Sequence, residues 1–245
     1  MVLCIIQARM GSKRLPGKIL KEVNGIPLLK YLIRRVEKAK LIDKIIVATT
    51  NSKKDNPVVE FCNQNNVEYY RGSENDVLDR YYQTAKQYNP NIIVRITGDC
   101  PLHDPDIIDR TIKLFIDSKV DYAANTVPPE KSKFPDGSDV EVFSFGALDR
   151  AWIECKNPTD REHVTFYMWR YNNGFKTILL DNNKEWGDYR LTIDYPEDFE
   201  VIKFIINKLN DENKFGTIEE IIDILDSNPD IRKKNSKYYF RINWE

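Results

Sequence analysis

Cysteine is scarce and scattered. The four residues, Cys4, Cys62, Cys100 and Cys155, form no CxxC pair and no closely spaced framework. That excludes a zinc ribbon and a disulfide scaffold and predicts buried, reduced thiols. Histidine is scarcer still: His103 lies near Cys100 but finds no further ligands at a workable spacing for a metal, and a Cys100–His163 nucleophile pair is disfavoured because Asp99, beside the thiol, raises its pKa. No sign of charge is in excess, with 37 basic against 38 acidic side chains, so neither nucleic acid nor a membrane surface is an expected partner. No stretch approaches the roughly 20 apolar residues of a membrane span, and the opening MVLCIIQARM lacks a basic leader, so the expected location is cytoplasmic. Internal repeats and low-complexity tracts are missing. So are the best-known nucleotide loops: there is no GxGxxG, and five residues intervene between Gly11 and Gly17 with Ile19 after Lys18, where a Walker A loop needs four and then Ser or Thr.

What is present is a βαβ order. Short apolar runs at Val2 to Ile6, Lys44 to Ala48 and Ile92 to Ile96 alternate with helical patterns that open at Pro27, near Asn75 and at Pro105. With 245 residues the chain fits one α/β domain, a Rossmann-like and mostly parallel sheet flanked by helices. The run TVPPEKSKFPDGSD breaks every periodic pattern and predicts a functional loop or a small inserted arm or β excursion. Beyond it the pattern predicts a strand over Val140 to Ser144, helices over Phe145 to Glu154 and Arg161 to Tyr171, strands over Phe175 to Leu180 and Tyr189 to Ile193, and a helix opening at Pro196. About 1–124 would bind nucleotide, about 125–195 the acceptor, and 196–245 would add C-terminal helices and a docking segment. Tyr238, Tyr239, Phe240 and Trp244 make that segment too aromatic for a free tail; it is expected to dock on the body or on a partner chain, and the latter would make the protein a homodimer.

The chemistry concentrates at strand ends. After the first strand, Gln7 to Lys18 holds Arg9, Lys13, Arg14 and Lys18 with no acid before Glu22, and Gly11 and Gly17 allow close backbone approach, the requirements of a polyphosphate loop. Asp99 follows the strand Ile92 to Ile96, and Asp194 follows Arg190 to Ile193. Two carboxylates on the same rim suit Mg²⁺, with Mn²⁺ an alternative, although a helix cap also accounts for an aspartate ahead of Pro196.

These segments carry a resemblance. QARMGSKRLPGKIL, TGDCPL and RLTIDYPEDFE resemble motifs of the cytidylyltransferase family that includes the CMP-sugar-acid synthetases, in particular its SpsF-like spore-coat-polysaccharide branch, over positions 2 to about 205. The resemblance implies a nucleotidyltransferase fold of the GT-A-like kind, CTP as substrate and a small anionic sugar-type acceptor, either a sugar acid or a sugar or polyol phosphate. Arg9 and Lys18 would hold and polarise the phosphates, with Gln7, Ala8, Gly11, Ser12, Lys13, Arg14, Thr97 and Gly98 lining the nucleotide site. Ala48, Thr49 and Ser73 would meet cytosine and ribose, and Asp99 and Asp194 the catalytic metal. FPDGSDVE and DREH resemble further signatures, which puts Asp139, Glu141, Arg161 and His163 at the acceptor, Arg161 as the cation for its negative charge. A nucleotide-sugar glycosyltransferase does not need so cationic a loop, uridylyl- and guanylyltransferases usually open with a double-glycine motif missing here, and a non-catalytic sensor or scaffold has no use for both aspartates and Lys18.

Overall fold

The computed structural model describes residues 1–238. Among them a seven-stranded sheet runs through the centre, built from β1 (Val2–Gln7), β4 (Lys44–Thr50), β5 (Tyr69–Gly72), β6 (Ile92–Thr97), β7 (Tyr122–Ala124), β8 (Glu141–Ser144) and β9 (Thr177–Leu179). Its order is β5-β4-β1-β6-β8-β7-β9. The pairs β1–β4, β1–β6, β4–β5 and β7–β9 are parallel, and β8 alone runs against its neighbours. A separate two-residue ladder joins β2 (Glu22–Val23) to β3 (Ile26–Pro27).

β1 shows why the sheet is central. Its inner four residues are fully buried, as a parallel strand covered on both faces requires. Successive side chains then go to different cores. Cys4 and Ile6 pack with α1 (Leu28–Val36), α4 (Pro105–Ser118), α8 (Pro196–Asp211) and α9 (Ile218–Asp226). Leu3 and Ile5 pack with Leu78 and Tyr81 of α3 (Val77–Tyr88) and Leu148 of α5 (Phe145–Glu154). The apolar spacing of Leu28, Leu29, Leu32, Ile33 and Val36 buries that face of α1.

Three expectations change in detail. The helix expected over Arg161 to Tyr171 is two short ones, α6 (Pro158–Glu162) and α7 (Phe166–Trp169). They are separated by Val164 at φ 65, which is buried, while the Thr165 hydroxyl donates to Glu141 of the sheet at 2.5 Å. Anchoring both residues inward breaks the helical path. The strand expected over Tyr189 to Ile193 is an extended segment with one parallel bridge, Asp136 to Arg190. Gly137 permits that approach: a Cβ there would lie 2.2 Å from the Thr192 nitrogen, and its φ of 91 favours glycine in any case. The run at 126–139, read as an arm or excursion, returns to the sheet as β8, tied down where Asn125 bonds Ser138 O and Val140 N. Of the aromatic C-terminal segment, Tyr238 stacks on Tyr195 with centroids 3.8 Å apart, and the rest lies outside the described residues.

No helix among the described residues is long and apolar enough to cross a membrane.

Candidate active site

The strand order reverses at β1, whose chain neighbours go to opposite sides, and ligands bind at such a switch point beyond the carboxyl ends. The loop after β1 lies there. The Met10 amide donates to Asp55 Oδ1 at 2.6 Å and the Gly17 amide to Met10 O at 3.1 Å, which closes the loop on itself. The Ser12 hydroxyl accepts from the Leu15 amide at 3.2 Å. Beside it, the Gly98 amide donates to Gln7 O at 2.8 Å, and a Cβ at Gly98 would sit 2.8 Å from that same oxygen, so glycine alone lets the end of β6 press against the loop.

Asp99 and Asp194 meet because of one backbone bond. The Ile193 amide donates to Asp99 O at 3.0 Å, bringing the two chain segments side by side without a regular ladder. The competing cap reading of Asp194 is answered by Asp198, whose Oδ2 accepts from the amides of Asp194 and Tyr195 at 2.9 Å each. That leaves the Asp194 carboxylate to face the cleft. Lys18 Nζ donates to Asp99 Oδ2 at 2.6 Å and to Asp194 Oδ1 at 2.8 Å. Arg14 pairs with the same Asp194 oxygen at 2.7 Å, and Arg190 Nη2 reaches Oδ2 at 3.2 Å. Burial opposes charge on Lys18, yet the two aspartates outweigh it and hold its pKa above the ordinary lysine range. Burial likewise opposes charge on Asp194, but Lys18 and Arg14 bring it down to about 2. Asp99 is also lowered, Lys18 overcoming its burial.

The cleft holds about 600 Å³. Of the residues the sequence pointed to, Gln7, Arg9, Gly11, Ser12, Lys13, Arg14, Lys18, Thr97, Asp99 and Asp194 line it together. Ala8 and Ala48 lie beneath it, joined by the Ala8 amide and Ala48 O at 3.1 Å. Thr49 is fully buried with no partner for its hydroxyl among the described residues, and Ser73 Oγ accepts from the Asp76 amide at the start of α3. Two carboxylates the sequence reading passed over, Glu74 and Glu162, also line the cleft. Glu162 sat unremarked inside the DREH run.

The residues expected at the acceptor are elsewhere. Arg161 donates to Asp76 Oδ2 at 2.8 Å, to Trp152 O at 3.0 Å and to Cys155 O at 2.8 Å, so its fork ties α6 to α3 and α5. Glu141 accepts from Arg95, from the Tyr122 hydroxyl and from Thr165. Asp139 accepts from the Thr126 hydroxyl and the Gly137 amide, and the His163 ring stacks on Phe166 at 4.1 Å. Burial lowers the pKa of His163. Arg161→Ala is therefore expected to cost about 1–3 kcal/mol of unfolding free energy in urea, the penalty for leaving polar partners unmatched. Acceptor KM should be unchanged; a raised KM at unaltered stability would return Arg161 to the acceptor.

Metal chemistry can be tested on the donors present. Among the described residues no group of three or more His, Cys, Asp and Glu side chains is arranged to hold an ion. Asp99 and Asp194 supply hard oxygens converging on one point, which fits Mg²⁺ with water and phosphate oxygens completing its shell and does not fit a closed zinc site.

A family model described as cytidylyltransferase matches residues 3–232. The spore coat polysaccharide biosynthesis protein SpsF of Bacillus subtilis is 34% identical over 236 residues, 94% of this chain and 95% of that protein. A 3-deoxy-manno-octulosonate cytidylyltransferase of Geobacter metallireducens is 35% identical over 111 residues, 45% of this chain and 43% of that protein. The structure of a cytidylyltransferase from Leptospira borgpetersenii superposes with a TM-score of 0.89 at 35% identity, covering 98% of this chain and 99% of its own.

Proposed function

This chain belongs to the cytidylyltransferase family and is a CTP-dependent nucleotidyltransferase; from that premise we propose that it transfers CMP to a sugar acid, as a step in making surface-polysaccharide precursors. The observation that carries the reading is the convergence of Lys18, Asp99 and Asp194 in a cleft also lined by Arg9, Lys13 and Arg14. Four cations around one cleft suit a triphosphate far better than a neutral ligand. Similarity over part of the chain to an enzyme named for a 2-keto sugar acid favours a sugar acid over a phosphate ester.

The reaction is attack by an acceptor oxygen on the α-phosphorus of CTP. A new P–O bond forms as the bond to the bridging oxygen breaks, and pyrophosphate leaves. Arg9, Lys13 and Arg14 hold the triphosphate, and Lys18 neutralises the charge that builds on the transferring phosphoryl group. Asp99 and Asp194 would hold Mg²⁺, or Mn²⁺, which would supply further neutralisation and lower the pKa of the attacking hydroxyl. The buried, unpartnered hydroxyl of Thr49 supports a role for that strand end in reading the base, together with Ala48 and Ser73. Glu74 and Glu162 accept hydrogen bonds from sugar hydroxyls at the rim. The nucleotide half and the acceptor half act as one domain, since residues from both line the same cleft.

The test is a pyrophosphate-release screen of CTP, UTP, GTP and ATP against sugar acids and sugar phosphates, with Mg²⁺. Release is expected with CTP and a sugar acid. Release only with a sugar phosphate overturns the acceptor class, and release with another nucleotide at equal efficiency overturns the base preference.

A further inference from the structure

The two aspartates are bridged by a side chain of the protein itself. Lys18 Nζ sits 2.6 Å from Asp99 Oδ2 and 2.8 Å from Asp194 Oδ1, which is the point on which both carboxylates converge. A magnesium ion binds oxygen at about 2.0–2.1 Å, so an ion bridging those two oxygens would compete for the position that Lys18 Nζ holds between them. Neither oxygen of Asp194 offers a way round, because Arg14 shares Oδ1 at 2.7 Å and Arg190 holds Oδ2 at 3.2 Å. Lys18 is also largely buried, with 9% of its surface exposed, and the space open to its ammonium is the cleft that it lines. The alternative anions within the same cleft are those a nucleotide brings, since Arg9, Lys13, Arg14 and Lys18 all line it.

From this arrangement we infer that Lys18 occupies the metal's place in the free enzyme, and that the entering nucleotide phosphates draw its ammonium off the aspartates and so open them to the divalent cation. The inference rests on the proposed reading of Asp99 and Asp194 as the metal ligands. Its consequence is an order of loading. The free protein binds the divalent ion weakly, and nucleotide and metal strengthen each other by the same factor, as linkage demands. One flexible stem thereby does two jobs in sequence, balancing the carboxylates before the substrate arrives and the phosphates afterwards.

Mn²⁺ serves as the probe, followed by electron paramagnetic resonance and water-proton relaxation without any acceptor, so no turnover is needed. Lys18→Met is expected to tighten Mn²⁺ binding to the nucleotide-free protein by about tenfold or more, within the usual span of coupling energies. Lys18→Gln, which keeps a polar head, guards against a variant that fails to fold and should show the same tightening. Lys13→Met removes a positive charge from the same cleft without touching either aspartate, and should change Mn²⁺ affinity by less than about threefold. Equal tightening by the Lys13 and Lys18 variants means bulk charge governs the site and overturns the inference. So does no tightening in either Lys18 variant. Asp99→Asn separates the underlying assignment: if it leaves Mn²⁺ binding in the CTP complex of the otherwise unaltered protein undiminished, the metal lies elsewhere, and that reading falls together with the inference.

Discussion

Asp99→Asn is expected to lower kcat by about a thousandfold while the protein stays folded, an effect at the upper end of what one transition-state electrostatic contact supplies. The size follows from the geometry. Asp99 is one of the two carboxylates that meet at Lys18, so its loss would halve what that pair offers a metal, and it also leaves Lys18 to Asp194 alone. Stability is spared for a related reason: Lys18 keeps its bond to Asp194, so no buried charge is left without a partner. Asp99 also belongs to neither apolar cluster. The measurements are CTP-dependent pyrophosphate release at saturating acceptor and a thermal unfolding curve. Activity within tenfold of the parent protein would show that the carboxylate pair is not the seat of the chemistry. A collapsed melting temperature would show instead that Asp99 holds the rim together.

The meeting of the basic loop and both aspartates on one rim was legible in the sequence because each follows an apolar run, and the end of such a run is a place on the sheet's rim. Asp194 reaches that rim even though its run forms no regular strand. One amide bond to Asp99 O does what a ladder was expected to do. The internal partners of the residues expected at the acceptor were not legible, and the reason is register. Glu141 reads as a charged residue beside a polar loop, but β8 lies antiparallel to β6 so that Glu141 falls opposite Arg95, and charge that looked free is internal. Nothing in one sequence says which strand will be the neighbour. Arg161 misleads in the same way, through a partner 85 residues distant. Glu162 lines the cleft at the end of α6, just before the chain turns at Val164, a β-branched residue in a conformation sequence patterns do not predict.

Arg190 was passed over at first as one more residue of an extended run, yet Arg190→Met should give the largest loss of stability, about 3–5 kcal/mol at neutral pH, the usual cost of breaking a buried ion pair on one side. Its guanidinium donates to Asp198 Oδ1 at 2.9 Å, to Asp194 Oδ2 at 3.2 Å and to Asp136. Methionine fills comparable space, so the main change is charge: Asp198, with no exposed surface, loses its cation. The pH dependence identifies the cause. Burial and the neighbouring Asp139 already push Asp136 up to about 8 against the pull of Arg190, and without Arg190 its pKa rises further. A carboxyl group whose folded pKa exceeds its unfolded value, about 3.9 for aspartate, keeps a proton in the folded state that the unfolded chain releases. Stability then falls as pH climbs above about 4, in the parent protein until pH passes about 8 and in the variant beyond it. Urea unfolding at pH 7 and pH 9 should therefore show the variant's deficit to be larger at the higher pH, growing by about 1 kcal/mol for each pH unit above about 8. A deficit of equal size at both would assign the loss to packing, for instance of the guanidinium over the Tyr238 ring at 5.8 Å, and not to stranded charge.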